Sequence, residues 1–204
     1  MTTDGKATAA AMNRSSAEEA AKSGIWVGIA AITMTFAAFT SAIIVREGTD
    51  TSWHHMTLPG VLYLNTLVLI ASSITLELSR RPVAARISRR EAAGQEGSRS
   101  GLLWLLVTLG LGLMFLAGQY AAWRELASQG LFLATNPSSS FFYVLTAVHG
   151  VHLLGGLAAL GYLAGKLSMA GARLRRSTAE ATSIYWHFMG GLWIYLLLVM
   201  RTRL

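Results

Sequence analysis

Five long apolar runs, separated by short segments that hold nearly all of the charged residues, constrain this chain more than any other feature. The runs cover approximately residues 24–45, 58–79, 101–123, 139–166 and 181–200. A helix rises about 1.5 Å per residue, so a bilayer core of about 30 Å needs about 20 apolar residues. Backbone groups in lipid must be hydrogen-bonded internally, and runs this long favour helices over barrel strands. The sequence therefore predicts an all-α integral membrane bundle of five transmembrane helices.

The composition supports a membrane protein and excludes several other classes. The chain is 53% hydrophobic and 13% charged, whereas a soluble domain carries about 25% charged residues. Its formal net charge is +7, but the basic residues lie at helix ends, where they set topology and meet headgroups, so we assign no nucleic-acid partner. The chain has no cysteine, which excludes disulfides, iron–sulfur clusters and thiolate metal sites.

The distribution of basic residues predicts the orientation in the membrane. The first 23 residues, the loop after the second run and the loop after the fourth share one side, with 13 of the 17 Lys and Arg residues. The positive-inside rule then places the N-terminus in the cytoplasm and the C-terminus outside. We expect residues 1–23 to form a cytoplasmic tail and residues 24–204 to form the transmembrane domain. The first run is too long for a signal-peptide core.

Three histidines lie within the apolar runs. The fourth run opens with Pro137 and three serines, which is typical of a helix start. His149 and His152 follow, three residues apart and so on one helical face, and His187 lies in the fifth run. An imidazole at membrane depth is costly unless it is paired, so these residues mark buried contacts or a functional site.

Two interpretations of these histidines are open from the residues alone. One is ligation of haem or copper, for instance a bis-histidine haem held by His149 or His152 on one helix and His187 on the next. The other is hydrogen bonding to neighbouring helices or to lipid. Metal centres usually have carboxylates or carbonyls that orient the ligands. No Asp or Glu lies at mid-membrane in any run, so we favour helix or lipid contacts and assign no metal site.

The second run contains polar residues for which a structural role and a functional role are both open. Asn65 and several Ser and Thr residues are groups that favour helix–helix contacts in lipid. Glu77 lies in the last turn, with Arg80 at i+3 and Arg81 at i+4, so an ion pair and a proton relay are both open. Gly190 and Gly191 in the fifth run permit close helix approach.

The remaining patterns are those of a structural membrane subunit. The tryptophans are expected to anchor the helices at the membrane interfaces; they are Trp26, Trp104, Trp123, Trp186 and Trp193. There is no phosphate-binding loop, zinc-protease motif or nucleophile elbow in the sequence. The residues alone thus indicate an accessory or structural subunit, with a solitary carrier as another class.

Four of the runs resemble the cytochrome c oxidase subunit III family. FFYVLTAVHGVHLLGG in the fourth run is similar to that family's helix with His-Gly-x-His and a glycine pair, and SIYWHFMGGLWIYLLL in the fifth resembles its final helix with Trp-His-Phe. LNTLVLIASSIT and VTLGLGLMFLAGQYAAW resemble two earlier helices. The resemblance extends from about Gly24 to Leu204.

The resemblance implies an accessory subunit of a bacterial haem-copper terminal oxidase in the plasma membrane. Such a chain supports complex stability and proton uptake during oxygen reduction, has no redox centre of its own and binds phospholipids. Its implied partners are subunit I, which holds the haems and copper, other oxidase subunits and a larger respiratory supercomplex. A subunit of a quinol oxidase and a homologue associated with nitric oxide reductase are the alternatives within the family.

The sequence departs from the family pattern at three points. The longest members have seven helices, of which this chain resembles the last five, so one wall of their lipid-filled cleft is absent here or is supplied by another subunit. Ala31 and Ile32 stand where a Ser-Glu step is common, and Met189 and Gly190 follow Trp-His-Phe where an acidic residue is common. The candidate residues for helix contact or lipid binding are His149, His152, His187, Trp186 and Asn65, and Glu77 is the candidate for proton support.

Overall fold

Five helices make up nearly all of the part of the chain that the structure describes. The structure is a computed structural model that describes residues 3–50, 53, 56–93, 99–169 and 176–204. Its helices are α1 (Thr3–Thr49), α2 (Val61–Ala93), α3 (Arg99–Ser128), α4 (Pro137–Ser168) and α5 (Arg176–Arg203). Each contains a stretch long and apolar enough to cross a membrane. The predicted all-α bundle of five transmembrane helices is therefore confirmed, and the side on which each terminus lies stays a prediction.

The helix bounds follow from local sequence signals. α1 begins at Thr3, so the described residues of the predicted tail continue the first span as helix. α4 begins with Pro137, whose fixed φ suits the first helical position. The side chain of Asn136 accepts a hydrogen bond from the backbone N–H of Ser139, and the Ser139 hydroxyl accepts one from the Asn136 N–H. This reciprocal cap satisfies two backbone donors that a helix start leaves unpaired.

The helices pack so that α4 and α5 lie at the centre. α2 and α3 form an antiparallel hairpin in contact along its length, α5 contacts α1, α2 and α4, and α4 contacts α1, α3 and α5. Among the described helices, α1 touches α4 and α5 only. In the most apolar window of α1 11% of residues are buried, against 44% in that of α5. The side chains that hold the bundle together are therefore sought on α4 and α5.

The ends of α1 and α5 are joined at the predicted outer side. The Arg203 guanidinium lies 3.3 Å from the Glu47 carboxylate. The Trp53 indole donates a hydrogen bond of 3.1 Å to the Arg203 carbonyl, and the Met56 amide donates one to the Leu204 carbonyl. These contacts hold the segment between α1 and α2 against the end of α5.

Candidate functional site

His149 lies fully buried where four helices meet. Its ring centroid is 6.4 Å from that of Phe36 on α1, 6.0 Å from that of Phe115 on α3 and 5.2 Å from that of Trp193 on α5. Neither ring nitrogen has a hydrogen-bond partner among the described residues. The imidazole is thus enclosed by aromatic rings, and its role as a helix-contact residue rests on packing.

His152 lies one turn further along α4 and is half-buried. Its Nδ1 lies 2.8 Å from the Val148 carbonyl of the same helix, and its ring centroid is 6.0 Å from that of Phe36. The Tyr185 hydroxyl on α5 donates a hydrogen bond of 2.8 Å to the His152 carbonyl. His152 therefore links α4 to α1 through its ring and to α5 through its backbone.

His187 lies apart from the other two histidines. Its side chain is 39% exposed, and its Nε2 is 3.8 Å from the Glu77 carboxylate on α2. Trp193, which packs against His149, is six residues or about 9 Å further along α5. Rings stand on three sides of His149, and a haem shared with His187 would have to displace them. This packing argues against a haem shared by His149 and His187, and the pairing of His152 with His187 stays an open alternative.

Trp186 fills the space between three helices. Its indole N–H donates a hydrogen bond of 3.1 Å to the Ser72 hydroxyl on α2. A Cβ atom at Gly112 on α3 would lie 2.7 Å from the indole, and one at Gly156 on α4 would lie 3.1 Å from it. Two glycines therefore form the notch that lets the largest side chain enter the bundle.

Asn65 on α2 also packs against a glycine of α3, at a different height in the α2–α3 hairpin from Trp186. The residue is buried, and its side-chain amide donates a hydrogen bond of 3.5 Å to the Phe115 carbonyl. A Cβ atom at Gly118 would lie 2.0 Å from the Asn65 Oδ1. Only glycine at position 118 thus leaves room for Asn65, whose bond holds the turn of α3 that carries Phe115 against His149.

Two of the predicted interfacial tryptophans are core residues. Trp186 and Trp193 are 1% and 0% exposed, so interfacial anchoring is wrong for both, whereas Trp26 is 61% exposed. The Trp193 indole donates a hydrogen bond of 3.0 Å to the Thr66 hydroxyl on α2. A hydroxyl on the neighbouring helix satisfies the indole N–H in the interior, so neither tryptophan needs the headgroup region.

Gln119 is a buried polar residue to which sequence reasoning assigned no role. It is 4% exposed, and neither its amide nitrogen nor its oxygen has a partner within the described ranges. It lies one turn from Phe115 and one turn from Trp123, whose indole donates a hydrogen bond of 3.0 Å to Thr146 on α4. The sequence signal that could have identified Gln119 as a buried polar residue is its side-chain amide in a run that is otherwise apolar.

A groove between α2 and α5 opens on the outside of the bundle. It has a volume of about 370 Å³ and is apolar along most of its length, with Glu77 and His187 at one end. The Glu77 carboxylate also pairs with Arg80 at 3.0 Å. The lining residues are Thr66, Leu69, Ile70, Ser73, Ile74, Glu77, His187, Gly190, Gly191, Trp193 and Ile194.

The contacts observed among the described residues are packing, hydrogen bonds and ion pairs. No group of three His, Asp or Glu side chains stands close enough there to hold a metal ion. The buried hydroxyls mostly bond to backbone carbonyls or to indoles of neighbouring helices, as Ser72 and Thr66 do.

Comparison with known proteins supplies what the packing alone does not. The family model for cytochrome c oxidase subunit III matches residues 20–202. The chain belongs to the cytochrome c oxidase subunit III family. The resemblance in the four helical motifs is thereby confirmed, and the subunit III family places the chain among multi-pass membrane proteins.

Three relatives show how much of the family's length this subunit III chain covers. The "probable cytochrome c oxidase subunit 3" of Mycobacterium bovis is 35% identical over 136 residues, which are 66% of this chain and 62% of the relative. The cytochrome c oxidase subunit 3 of Synechocystis is 31% identical over 190 residues, 88% of this chain and 70% of the relative. The cytochrome c oxidase subunit 3 of Thermostichus vulcanus is 28% identical over 187 residues, which are 88% of this chain and 87% of the relative. The chain thus spans less than two thirds of the mycobacterial relatives.

Proposed function

We propose that this chain is an accessory subunit of a haem-copper terminal oxidase in the bacterial plasma membrane. It stabilises the complex and supports proton uptake during oxygen reduction, and it carries no redox centre of its own. The observation that carries the proposal is the subunit III family match over residues 20–202. The names of the relatives, which are cytochrome c oxidase subunits, favour cytochrome c oxidase over the quinol oxidase and nitric oxide reductase alternatives.

The internal packing supports a scaffold role. The polar side chains of α2 reach other helices: Ser72 and Thr66 accept bonds from the two buried indoles of α5, and Thr75 bonds to Thr108 on α3 at 2.9 Å. Such cross-helix bonds hold membrane helices in one arrangement, because lipid offers no competing polar partner. A chain held in this way can present a fixed surface to a catalytic subunit.

The partners in this proposal are subunit I, which holds the haems and copper, the other oxidase subunits and a larger respiratory supercomplex. The lipid-facing surface of α1 offers a place for such partners, since few of its residues are covered by the chain's own helices.

Co-purification tests the accessory role. The chain is tagged, native membranes are extracted in mild detergent, and the proteins that remain bound are identified by mass spectrometry, with membranes that contain the untagged chain as the control. We expect a haem-copper catalytic subunit, and its type separates the oxidase from the nitric oxide reductase alternative. Recovery of the chain alone would contradict the proposal.

Glu77 is the residue proposed for proton support. Its side chain is 58% exposed and lies beside Arg80 and His187. Glu77 is at the predicted cytoplasmic end of the second apolar run, beyond which α2 continues to Ala93. We expect Glu77→Gln to lower the oxidase's turnover at high pH, where protons are scarce, relative to Glu125→Gln, a matched exposed glutamate near the other end of the membrane. Unchanged oxygen consumption and proton pumping across the pH range would remove Glu77 from this role.

A further inference from the structure

We infer that the loop between α3 and α4, residues 129–136, anchors the chain by inserting Phe132 and Leu133 into the membrane interface on the predicted outer side. The two residues are 57% and 54% exposed, so the described helices leave most of their apolar surface uncovered. The anchor is a property of this chain and does not depend on the complex that the chain serves.

An ion pair near the other end of the α2–α3 hairpin provides the reference for the depth of the loop. Glu77 and Arg80 pair on α2 with both side chains at least half exposed. Charged groups are costly within the hydrocarbon core, so the pair marks the core's cytoplasmic edge in the predicted orientation. Thr75 bonds to Thr108 on α3 at 2.9 Å. Because the two helices are antiparallel, the ion pair is level with about residues 103–106 of α3.

The loop folds back to the opposite edge of the core. A hydrocarbon core of about 30 Å corresponds to about 20 helical residues, so that edge lies at about residues 123–126 of α3. The Tyr143 hydroxyl on α4 lies 3.3 Å from the Trp123 carbonyl and 2.9 Å from the Leu131 carbonyl. One hydroxyl thus joins the loop to the turn of α3 at the edge. Phe132 follows directly, and consecutive Cα atoms are about 3.8 Å apart, so its ring is within reach of the acyl chains.

The carbonyls of the loop are bonded within the chain, as a segment in contact with lipid requires. Each of the four consecutive carbonyls of residues 130–133 lies within hydrogen-bond distance of a side-chain hydroxyl. The hydroxyls, in that order, belong to Thr135, Tyr143, Ser139 and Ser140. A carbonyl that faces water needs no such donor, whereas a carbonyl moved out of water without a partner costs free energy. The backbone of the loop is therefore prepared for a surrounding poor in water.

The charge and the depth of the loop favour lipid over a protein that docks from outside. No Asp, Glu, Lys or Arg occurs between Glu125 and Lys166, so insertion of the loop desolvates no charged side chain. The headgroup layer is about 5–7 Å thick on each side of the core. A protein that approaches from outside would meet side chains beyond that layer, whereas Leu131 is held at the layer's inner limit by Tyr143.

Single nitroxide labels test the anchor, because the chain has no cysteine of its own. Phe132→Cys and Leu133→Cys are labelled separately, so each variant keeps one of the two anchor side chains. Gln129→Cys is the matched control, at an exposed polar position of the same loop. The chain, with the proteins that co-purify, is reconstituted into phosphatidylcholine vesicles. Electron paramagnetic resonance then measures collisions of the label with oxygen, which concentrates in lipid, and with a nickel chelate, which stays in water.

We expect the ratio of oxygen to nickel collisions to be several-fold higher for Phe132→Cys and Leu133→Cys than for Gln129→Cys. A ratio equal to that of the control would place the loop in water and overturn the inference. Low collision rates with both reagents would show that a protein covers the loop, and that result would also overturn it.

A further set of variants shows whether the two side chains hold the loop in the membrane. The label is placed at the neighbouring exposed position with Ala134→Cys, and Phe132→Ser and Leu133→Ser are added together. We expect nickel collisions at this label to rise several-fold, whereas Gln129→Ser should leave them unchanged. An unchanged rate after removal of both apolar side chains would show that the helices alone set the depth, and Phe132 and Leu133 would then be no anchor.

Discussion

The inner face of α5 and its groove face use glycine in opposite ways. On the inner face, Trp186 enters a notch made by Gly112 and Gly156, and both glycines are in tight contact with the indole. On the groove face, a Cβ atom at Gly190 would meet only the Ser73 hydroxyl, at 3.4 Å, and one at Gly191 would meet nothing within 4 Å. Close packing was the interpretation of the α5 glycines from sequence. It agrees with Gly190, which is buried beside α2, and not with Gly191, which is exposed.

The difference shows that a glycine in a membrane helix can have either of two structural roles. Which role it has depends on whether a side chain of another helix or lipid lies opposite it. A glycine opposite a large side chain is a notch, and a methyl group there must displace a packed ring. A glycine opposite lipid is an opening, and a methyl group there has room. The same substitution of glycine should therefore lower stability much more at a notch than at an opening.

Removal of the side chain that fills the notch should have the largest effect. Trp186→Ala leaves a cavity between α2, α3 and α4 and leaves the Ser72 hydroxyl without its donor, so we expect a loss of about 3 kcal/mol of stability. Trp26→Ala, at a position 61% exposed, should change stability by no more than about 0.5 kcal/mol. Unfolding of the purified chain by denaturing detergent measures both, and equal losses would show that Trp186 is not a core residue.

A glycine-to-alanine substitution, which adds one methyl group, should distinguish a notch from an opening with a smaller loss of stability than Trp186→Ala causes. In Gly118→Ala the new Cβ would stand 2.0 Å from Asn65 Oδ1, so the amide must rotate away and we expect a loss of about 1–3 kcal/mol. Gly190→Ala should be neutral or stabilising, because Ala favours helix over Gly by about 1 kcal/mol. The same unfolding assay applies.

The double variant Asn65→Ala with Gly118→Ala checks the cause of that loss. If the clash with Asn65 is responsible, the double variant should be more stable than the sum of the two single changes predicts. Additive losses would place the effect of Gly118→Ala elsewhere.

Replacement of His149 by a ring of similar size should have the smallest effect and separates packing from polar chemistry. Its two nitrogens have no partner among the described residues, and a buried polar group without a partner costs about 1–3 kcal/mol. We therefore expect His149→Phe to keep or raise the stability of the chain, because the new ring is enclosed by the same aromatic side chains. We expect His149→Ala and His152→Ala to weaken association with the complex or lipid retention.

The outcome for the complex completes the test of His149. Complex yield, lipid content and turnover stability are measured for the Phe and Ala variants. Normal values in the Ala variants would refute a contact role. If His149→Phe folds stably but fails to assemble, the imidazole itself serves the complex, and packing is an incomplete account of it.

The sequence predicted the elements of the bundle well and the partners of its polar groups only in part. Small hydroxyls on α2 were expected to meet other helices, and Thr66, Ser72 and Thr75 do so. Glu77 was expected to have Arg80 in reach, and the two pair. Trp193 was placed at an interface and lies in the core, because an indole suits both the headgroup region and a buried hydroxyl.

The amino-acid sequence by itself determined that this chain is a five-helix membrane protein of the subunit III family. Long apolar runs leave helices as the structure that satisfies the backbone in lipid, and the histidine-bearing motifs mark the family. The tertiary structure decided which faces are inside, since every run is apolar nearly all round and lipid is as apolar as the core. Contacts between distant residues made Gly118 a notch and Gly191 an opening, enclosed His149 in rings and left His187 beside Glu77 at the mouth of a groove.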